Sequence, residues 1–257
     1  MTLDFNTSLA EGYKSPSQIA RVLTEDWFKR NMYCPSCGRK NLTQTEANSK
    51  VEDFYCDDCL AQYELKSRKK KTKGIGRTIL GSEYYTMMKR IHDADKPDFF
   101  LLTYDNNQVR NLVLIPKEFF VPGIVIKRKP LNADAKRAGW TGCLIDLTSI
   151  PEDGKIWIIR DSVETDHRIV LDSYRKIKSL PLTTMGSRKW LVDILQCVDK
   201  LGAEFTLNDM YAFTETLQSQ HPRNKNIQAK IRQQLQILRK KGLLIFTKRG
   251  HYKKATI

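Results

Sequence analysis

The stretch YCPSCGRKNLTQTEANSKVEDFYCDDCLAQYELKSR, residues 33–68, decides how the N-terminal part of this chain folds, because two sets of metal-binding side chains are interleaved in it. Cys34, Cys37, Cys56 and Cys59 form two Cys-x-x-Cys pairs, eighteen residues apart. Asp53 stands just before the second pair, and Glu64, Leu65 and Lys66 stand just after it. The thiol spacing predicts a structural zinc site, closed and tetrahedral. Such a site has no open position for a substrate, so its expected work is mechanical: it pins the turn between a strand at VEDFYC (51–56) and a second at AQYELKSR (61–68). In the second strand Tyr63 and Leu65 alternate with Glu64 and Lys66, which places Glu64 and Lys66 on one face. Two carboxylates on neighbouring strands can share a magnesium ion while a lysine of the same face assists a water.

Outward from this stretch, residues 16–32 show helical spacing in Ile19, Val22, Leu23, Trp27 and Phe28, with Pro16 suited to a first turn. The basic, glycine-containing run 66–77 reads as a mobile loop, and 82–94 as a helix opened by Ser82. Strands are expected at 98–104, 111–116, 143–147 and 155–161. Together these elements predict an α/β domain over residues 1–182.

The pattern then changes. Helices are expected at 188–201, at 204–218 with Thr206 as cap, and at 226–242 ending on Gly242, followed by a hairpin that turns at Arg249 and Gly250. Three helices and a basic hairpin are the order of a winged helix, here over residues 183–257. In the third helix Ile227, Ile231, Leu235 and Leu238 face inward, leaving Lys225, Lys230, Arg232, Gln233, Gln236 and Arg239 outward. Arg and Gln are the side chains that read guanine and adenine edges bidentately. Charge agrees with that reading: the whole chain is +15, and residues 183–257 hold 14 Lys and Arg against 5 Asp and Glu. A polyanionic partner is expected.

No apolar run approaches the length of a bilayer span, and the polar start MTLDFNTSLAEGYK lacks the features of a signal peptide. A soluble, cytoplasmic protein is expected, and in that compartment paired cysteines hold metal more readily than they form disulfides. Cys143 and Cys197 stand alone and read as small buried hydrophobes.

Asp53 followed by Glu64-Leu65-Lys66 resembles the signature of the PD-(D/E)xK nucleases, with Glu52 where the usual form has proline. TMMKR (86–90), RKPL (128–131), RAGWTGC (137–143) and KIRQQLQILR (230–239) extend the likeness over nearly every element. With them the chain resembles the DpnI-like methyl-directed restriction endonucleases. The resemblance implies a PD-(D/E)xK catalytic domain with an inserted zinc site, joined to a winged helix that also binds methylated DNA. It further implies magnesium-dependent type II cleavage of double-stranded DNA at GATC containing N6-methyladenine, in a monomeric bacterial enzyme needing no protein partner. Carried over by position, Asp53, Glu64 and Lys66 are the catalytic set, and Asp53, Glu64 and the Leu65 carbonyl the magnesium ligands. Cys34, Cys37, Cys56 and Cys59 hold zinc. Trp140, with Arg137 in the same block, falls where an aromatic meets the methylated adenine, and Arg249 of the hairpin joins the outward helix residues on DNA. The lysine-rich run 68–73 has no assigned counterpart. Two other readings stay open: a zinc-containing winged-helix transcription regulator without nuclease activity, and a nuclease of the same superfamily that cuts branched or unmethylated DNA.

Overall fold

The computed structural model describes residues 1–45, 52–93 and 96–255. The ends of three expected elements, at Val51, at Ala94 and at residues 256–257, lie outside the described residues. The architecture is mixed α/β with a central sheet, a four-cysteine cluster and a C-terminal helical domain.

The strands are β1 Thr43–Gln44, β2 Phe54–Tyr55, β3 Gln62–Lys69, β4 Thr78–Glu83, β5 Asp98–Asp105, β6 Gln108–Ile115, β7 Val125–Lys127, β8 Gly142–Asp146, β9 Ile156–Arg160, β10 Val163–Glu164, β11 Glu204–Thr206, β12 Leu244–Lys248 and β13 His251–Lys254. The helices are α1 Pro16–Asn31, α2 Tyr84–His92, α3 His167–Lys178, α4 Met185–Asp199, α5 Leu207–Tyr211, α6 Thr214–Gln220 and α7 Ile227–Lys240. The main sheet has the order β1-β2-β3-β5-β6-β9-β10, with β3 and β5 parallel and the other pairs antiparallel. Its centre is β5, where the run from Asp98 to Thr103 is buried throughout, as a near-continuous apolar strand covered on both faces must be. Helix α1 covers β3: Phe28 packs on Phe54 and Phe100 at ring distances of 4.6 and 4.8 Å, and Thr24 hydrogen-bonds Ser67. Helix α3 buries Val170, Tyr174 and Ile177 beside β9.

A second sheet, β4-β8-β7, packs with α2 and is not foreseen from the sequence at its β4 and β7 edges. Three local expectations are corrected. The run 66–77 is not a loop from its start, because β3 continues to Lys69 along seven parallel register positions with β5. Ser82 does not open α2: it lies in β4, and the Glu83 carboxylate caps the helix by accepting from the N–H groups of Tyr85 and Thr86 at 3.0 and 2.6 Å. Residues 204–218 are not one helix. Thr206 does cap, in a reciprocal box with Asp209, but Glu204–Thr206 pairs with β13 and the helix breaks between α5 and α6. Helix α3 is not among the expected elements, although Asp166 caps it and Val170, Tyr174 and Ile177 repeat at helical spacing.

In the C-terminal domain α4, α5–α6 and α7 pack around Ile227, Ile231, Leu235 and Leu238, all buried, and the β11-β13-β12 sheet follows as the wing, turning at Arg249 and Gly250 with Gly250 at φ +75°. Cys143 and Cys197 are buried as expected. Among the described residues no helix is long and apolar enough to cross a membrane.

Candidate active site and metal centre

Each Cys-x-x-Cys pair closes its own tight turn. Gly38 N–H donates to the Cys34 carbonyl at 2.8 Å and Leu60 N–H to that of Cys56 at 2.9 Å, with Gly38 and Leu60 both at positive φ. Arg39 and Asp58 form an ion pair between the turns. The four Sγ atoms lie within 4.8 Å of one another, with Cys34–Cys59 at 3.5 Å and Cys37–Cys56 at 3.6 Å. A tetrahedron with Zn–S bonds of ~2.3 Å has edges of about 3.8 Å, so this donor set fits zinc. The buried Tyr63 hydroxyl sits 3.1 Å from Cys34 Sγ, which ties the cluster to β3 one residue before Glu64.

At that point on β3 the strand pairing stops on one side. Asp53 leads into β2, and its Oδ2 accepts the Leu65 N–H at 2.7 Å. The carboxylate thus takes the place of a backbone partner beyond the end of β2. The N–H and C=O of one strand residue face the same neighbour, so the Leu65 carbonyl is directed to the edge where the Asp53 carboxylate lies. Leu65's side chain stands out of the sheet plane, on the face opposite Glu64 and Lys66, and is buried in the core. Glu64 is only 7% exposed and lies between two ammonium groups, Lys96 Nζ on Oε2 at 2.8 Å and Lys66 Nζ on Oε1 at 3.2 Å. Burial pushes its pKa up, but the Lys96 charge and then that of Lys66 outweigh it and hold the carboxyl at about 2. Asp53 is shifted the other way: burial raises it more than the Leu65 N–H and Lys66 lower it. Lys66 is raised, the charges of Glu64 and Asp53 overcoming the burial that lowers it. The structure therefore brings Asp53, Glu64, Leu65 and Lys66 to one strand edge. Two carboxylates and a carbonyl are hard oxygen donors of the kind magnesium takes, with one cation beside them to meet an anion.

Two groups of this site went unread in the sequence. Lys96 lies two residues before β5, and nothing in ADKPDFF marks it, because its partner Glu64 is 32 residues away. Glu25 of α1 accepts from Gln44 Nε2 at 2.9 Å and is raised by burial, with the Asp53 charge adding to the rise against Arg21. Nothing in the sequence marks it, because the packing of α1 on β3 brings it there.

Trp140 lies far along the chain but on the second sheet, just before β8. Its ring covers the backbone of Gly142, where a Cβ would meet Trp140 Cη2 at 2.7 Å, and the Arg137 guanidinium stacks over it at 4.6 Å. The Arg128 guanidinium also lies beside Gly142, 3.6 Å from where a Cβ would stand. On the C-terminal domain Arg232, Gln233, Gln236 and Arg239 are exposed on α7, Lys225 is exposed in the turn before it, and Arg249 is exposed at the tip of the wing. Lys230 is half-buried, bonded to Gln233 Oε1 at 2.8 Å and 5.7 Å from the Trp190 ring centre. Arg239 stacks on Phe246 at 5.1 Å, joining the helix to the wing.

Two family models match the chain: the DpnI, Dam-replacing family over residues 1–183, and the Dam-replacing HTH domain over residues 186–254.

Proposed function

The chain belongs to the DpnI, Dam-replacing family, and from that membership we propose that it is a methylation-dependent type II restriction endonuclease cutting double-stranded DNA at GATC that carries N6-methyladenine. The observation that carries the nuclease reading is the buried Glu64 between Lys66 and Lys96, with the Asp53 carboxylate fastened to the backbone between Glu64 and Lys66. A DNA-binding regulator has no use for a buried carboxylate held ionised beside a second one, since burying such charges costs several kcal/mol per ion.

Asp53, Glu64 and the Leu65 carbonyl would hold magnesium, which when bound supplies charge to the scissile phosphate and acidifies a water. The chain's own residues do the rest. Lys96 fixes the rotamer of Glu64 from the buried side. Lys66, kept protonated by its two carboxylate neighbours, orients the attacking water and offsets the charge that builds on the phosphate. The four cysteines would hold structural zinc and keep the two strands of this edge in register. Trp140, backed by Arg137, meets the methylated adenine from the catalytic domain, while Lys225, Lys230, Arg232, Gln233, Gln236, Arg239 and Arg249 meet the duplex from the winged helix. A buried methyl contributes ~0.8 kcal/mol, only a few-fold in binding, so strong selectivity follows from reading the methyl groups in both domains. The enzyme acts as a monomer.

The test is incubation with magnesium and matched plasmids, with and without adenine methylation. Cutting of methylated plasmid alone, lost in Lys66→Ala while duplex binding persists, is the expected result. Equal cutting of both plasmids would make it an unselective nuclease, and binding without cutting would return the regulator. Trp140→Ala is expected to lose most methyl-dependent cutting while staying folded.

A further inference from the structure

Past the candidate active site, β3 runs into a cluster of cations that the proposed chemistry does not use. Lys69 ends the strand, Lys70, Lys71 and Lys73 follow, and Arg77 precedes β4. Like charges packed this closely repel and open a free loop, yet this one is closed from inside. Lys70 is turned inward: its Nζ donates to the carbonyls of Thr72 at 2.8 Å and Lys73 at 2.7 Å and to the Thr72 hydroxyl, while its N–H donates to the Tyr104 carbonyl at 2.9 Å. Arg68 spans the base of the loop, donating to the Thr78 carbonyl at 2.7 Å and to that of Ile75. Gly76, at φ +81°, leaves room for the Arg68 guanidinium, which a Cβ there would overlap and push from its carbonyl partners. Gly74 is held on both sides by Asp161 and Asn111.

What this framework leaves outside is Lys69, Lys71, Lys73 and Arg77, all exposed. Among the described residues none of the four forms an ion pair. Asp105 and Asp161 line the same cleft as Lys71 and Lys73 but pair with none of the four, and a loop braced to hold cations outside every ion pair is preorganised for a polyanion, because part of the repulsion is met in advance by the fold and relieved on binding. We propose that this loop docks on the phosphodiester backbone of the DNA beside the cleaved site, with Lys69, Lys71, Lys73 and Arg77 neutralising phosphates and taking no part in the reaction. The inference rests on the DNA reading above. β3 ends at Lys69, three residues beyond Lys66 and about 10 Å at ~3.3 Å per strand residue, so the loop lies within reach of backbone phosphates flanking the reacting one. Contacts there position the duplex without reading its sequence.

The experiment is binding of a fluorescently labelled methylated GATC duplex by the full-length protein without divalent metal, over a series of salt concentrations, beside a cleavage assay with magnesium. Each lost phosphate contact flattens the plot of log K against log salt by ~0.9. K69A/K71A/K73A is expected to flatten it by about 2 to 3, so that between about 50 and 200 mM salt the variant loses roughly 20- to 60-fold less affinity than the parent. At low salt it still cuts methylated plasmid selectively, and K69R/K71R/K73R restores the parent slope. K14A/K29A/K40A removes the same charge elsewhere and is expected to leave the slope unchanged. Lys71→Glu, outside every hydrogen bond of the loop, gives the same reading if the triple change unsettles the fold. An unaltered slope in the loop variants, or an equal change in the control, overturns the loop assignment while selective cutting leaves the nuclease reading standing. A parent protein that neither binds nor cuts duplex overturns both.

Discussion

Glu64 shows how a single buried charge is made tolerable. An ionised carboxylate at 7% exposure is costly unless paired, and here it has two partners, one buried with it and one facing the open edge. Its pKa is depressed, so the stability it contributes is fully present above the ordinary carboxylate range and is lost as pH falls from ~4.5 towards about 2. Lys96 is the partner that burial makes indispensable: it is 3% exposed, and its Nζ also lies 4.2 Å from the centre of the Phe120 ring. Lys96→Met fills the same space and leaves Glu64 with Lys66 alone. It is expected to cost about 3 kcal/mol at neutral pH, as for other broken buried pairs, and much less in a Glu64→Gln background. Urea denaturation of the two single variants and the double variant checks this. Equal costs in both backgrounds would mean that the pair is not coupled.

At the scale of an element, β8 and the turn before it decide how Trp140 is presented. Gly139 sits at φ +77°, a conformation that glycine adopts without strain, and Gly142 gives the ring a flat backbone surface. The turn is closed by Leu131 N–H to the Trp140 carbonyl at 2.9 Å and Gly139 N–H to the Leu131 carbonyl at 3.0 Å, while Arg128 N–H holds the Gly142 carbonyl at 3.0 Å. RKPL and RAGWTGC are thus one structure, closed across the residues 132–136 between them. A methyl added at Gly142 meets the outer edge of the Trp140 ring, which can swing away, and not an immovable backbone. Gly142→Ala is therefore expected to cost only about 1 kcal/mol in stability, yet to lower the preference for methylated over unmethylated plasmid several-fold. Thermal melts and paired digests measure the two effects. A variant that keeps full preference would show that the ring's seat is immaterial to selectivity.

At the scale of the whole molecule, the two parts of the chain are fastened through α4. The buried Arg188 donates to the Ile91 carbonyl at 2.9 Å, Gln196 to that of Ser149 at 2.5 Å, and the Asp199 carboxylate accepts the Glu152 N–H at 2.9 Å. Beside these bonds is a cavity of about 460 Å³ lined by Asp153, Trp157, Asp199 and Lys254 among others. Burial pushes Asp153 up to about 7, the charges of Asp199 and Glu152 adding to the rise and those of Lys254 and Lys176 opposing it. A raised carboxyl pKa works against stability as pH increases: between ~3.8 and about 7 the folded protein keeps a proton that the unfolded chain has released. Asp153→Asn is expected to stabilise the protein by about 1–2 kcal/mol at pH 8, discounting for solvent screening, and by almost nothing at pH 4. Denaturation at the two pH values tests it, and a gain of equal size at both would assign the effect to something other than ionisation.

Spacing and periodicity determined the parts of this protein whose partners are near in sequence or repeat along one element. The thiol cluster is readable because its four ligands fall within 26 residues and its two turns are local. The buried face of α7 and the doubly covered strand β5 are readable because burial leaves a period, or a continuous run, in the chain itself. Only the tertiary structure decided what lies opposite each face. The parallel pairing of β3 with β5 carries Lys96 to Glu64, and the packing of α1 brings Glu25 towards Asp53. A second sheet made of β4, β7 and β8, three short strands drawn from distant segments, seats Trp140. Arg68 looks like one more surface cation in a basic run until its guanidinium is seen threading the loop that follows. The reason is the same each time: periodicity records that a side chain is covered and not what covers it, while charge pairing and ring packing are set by contacts between segments far apart in the chain.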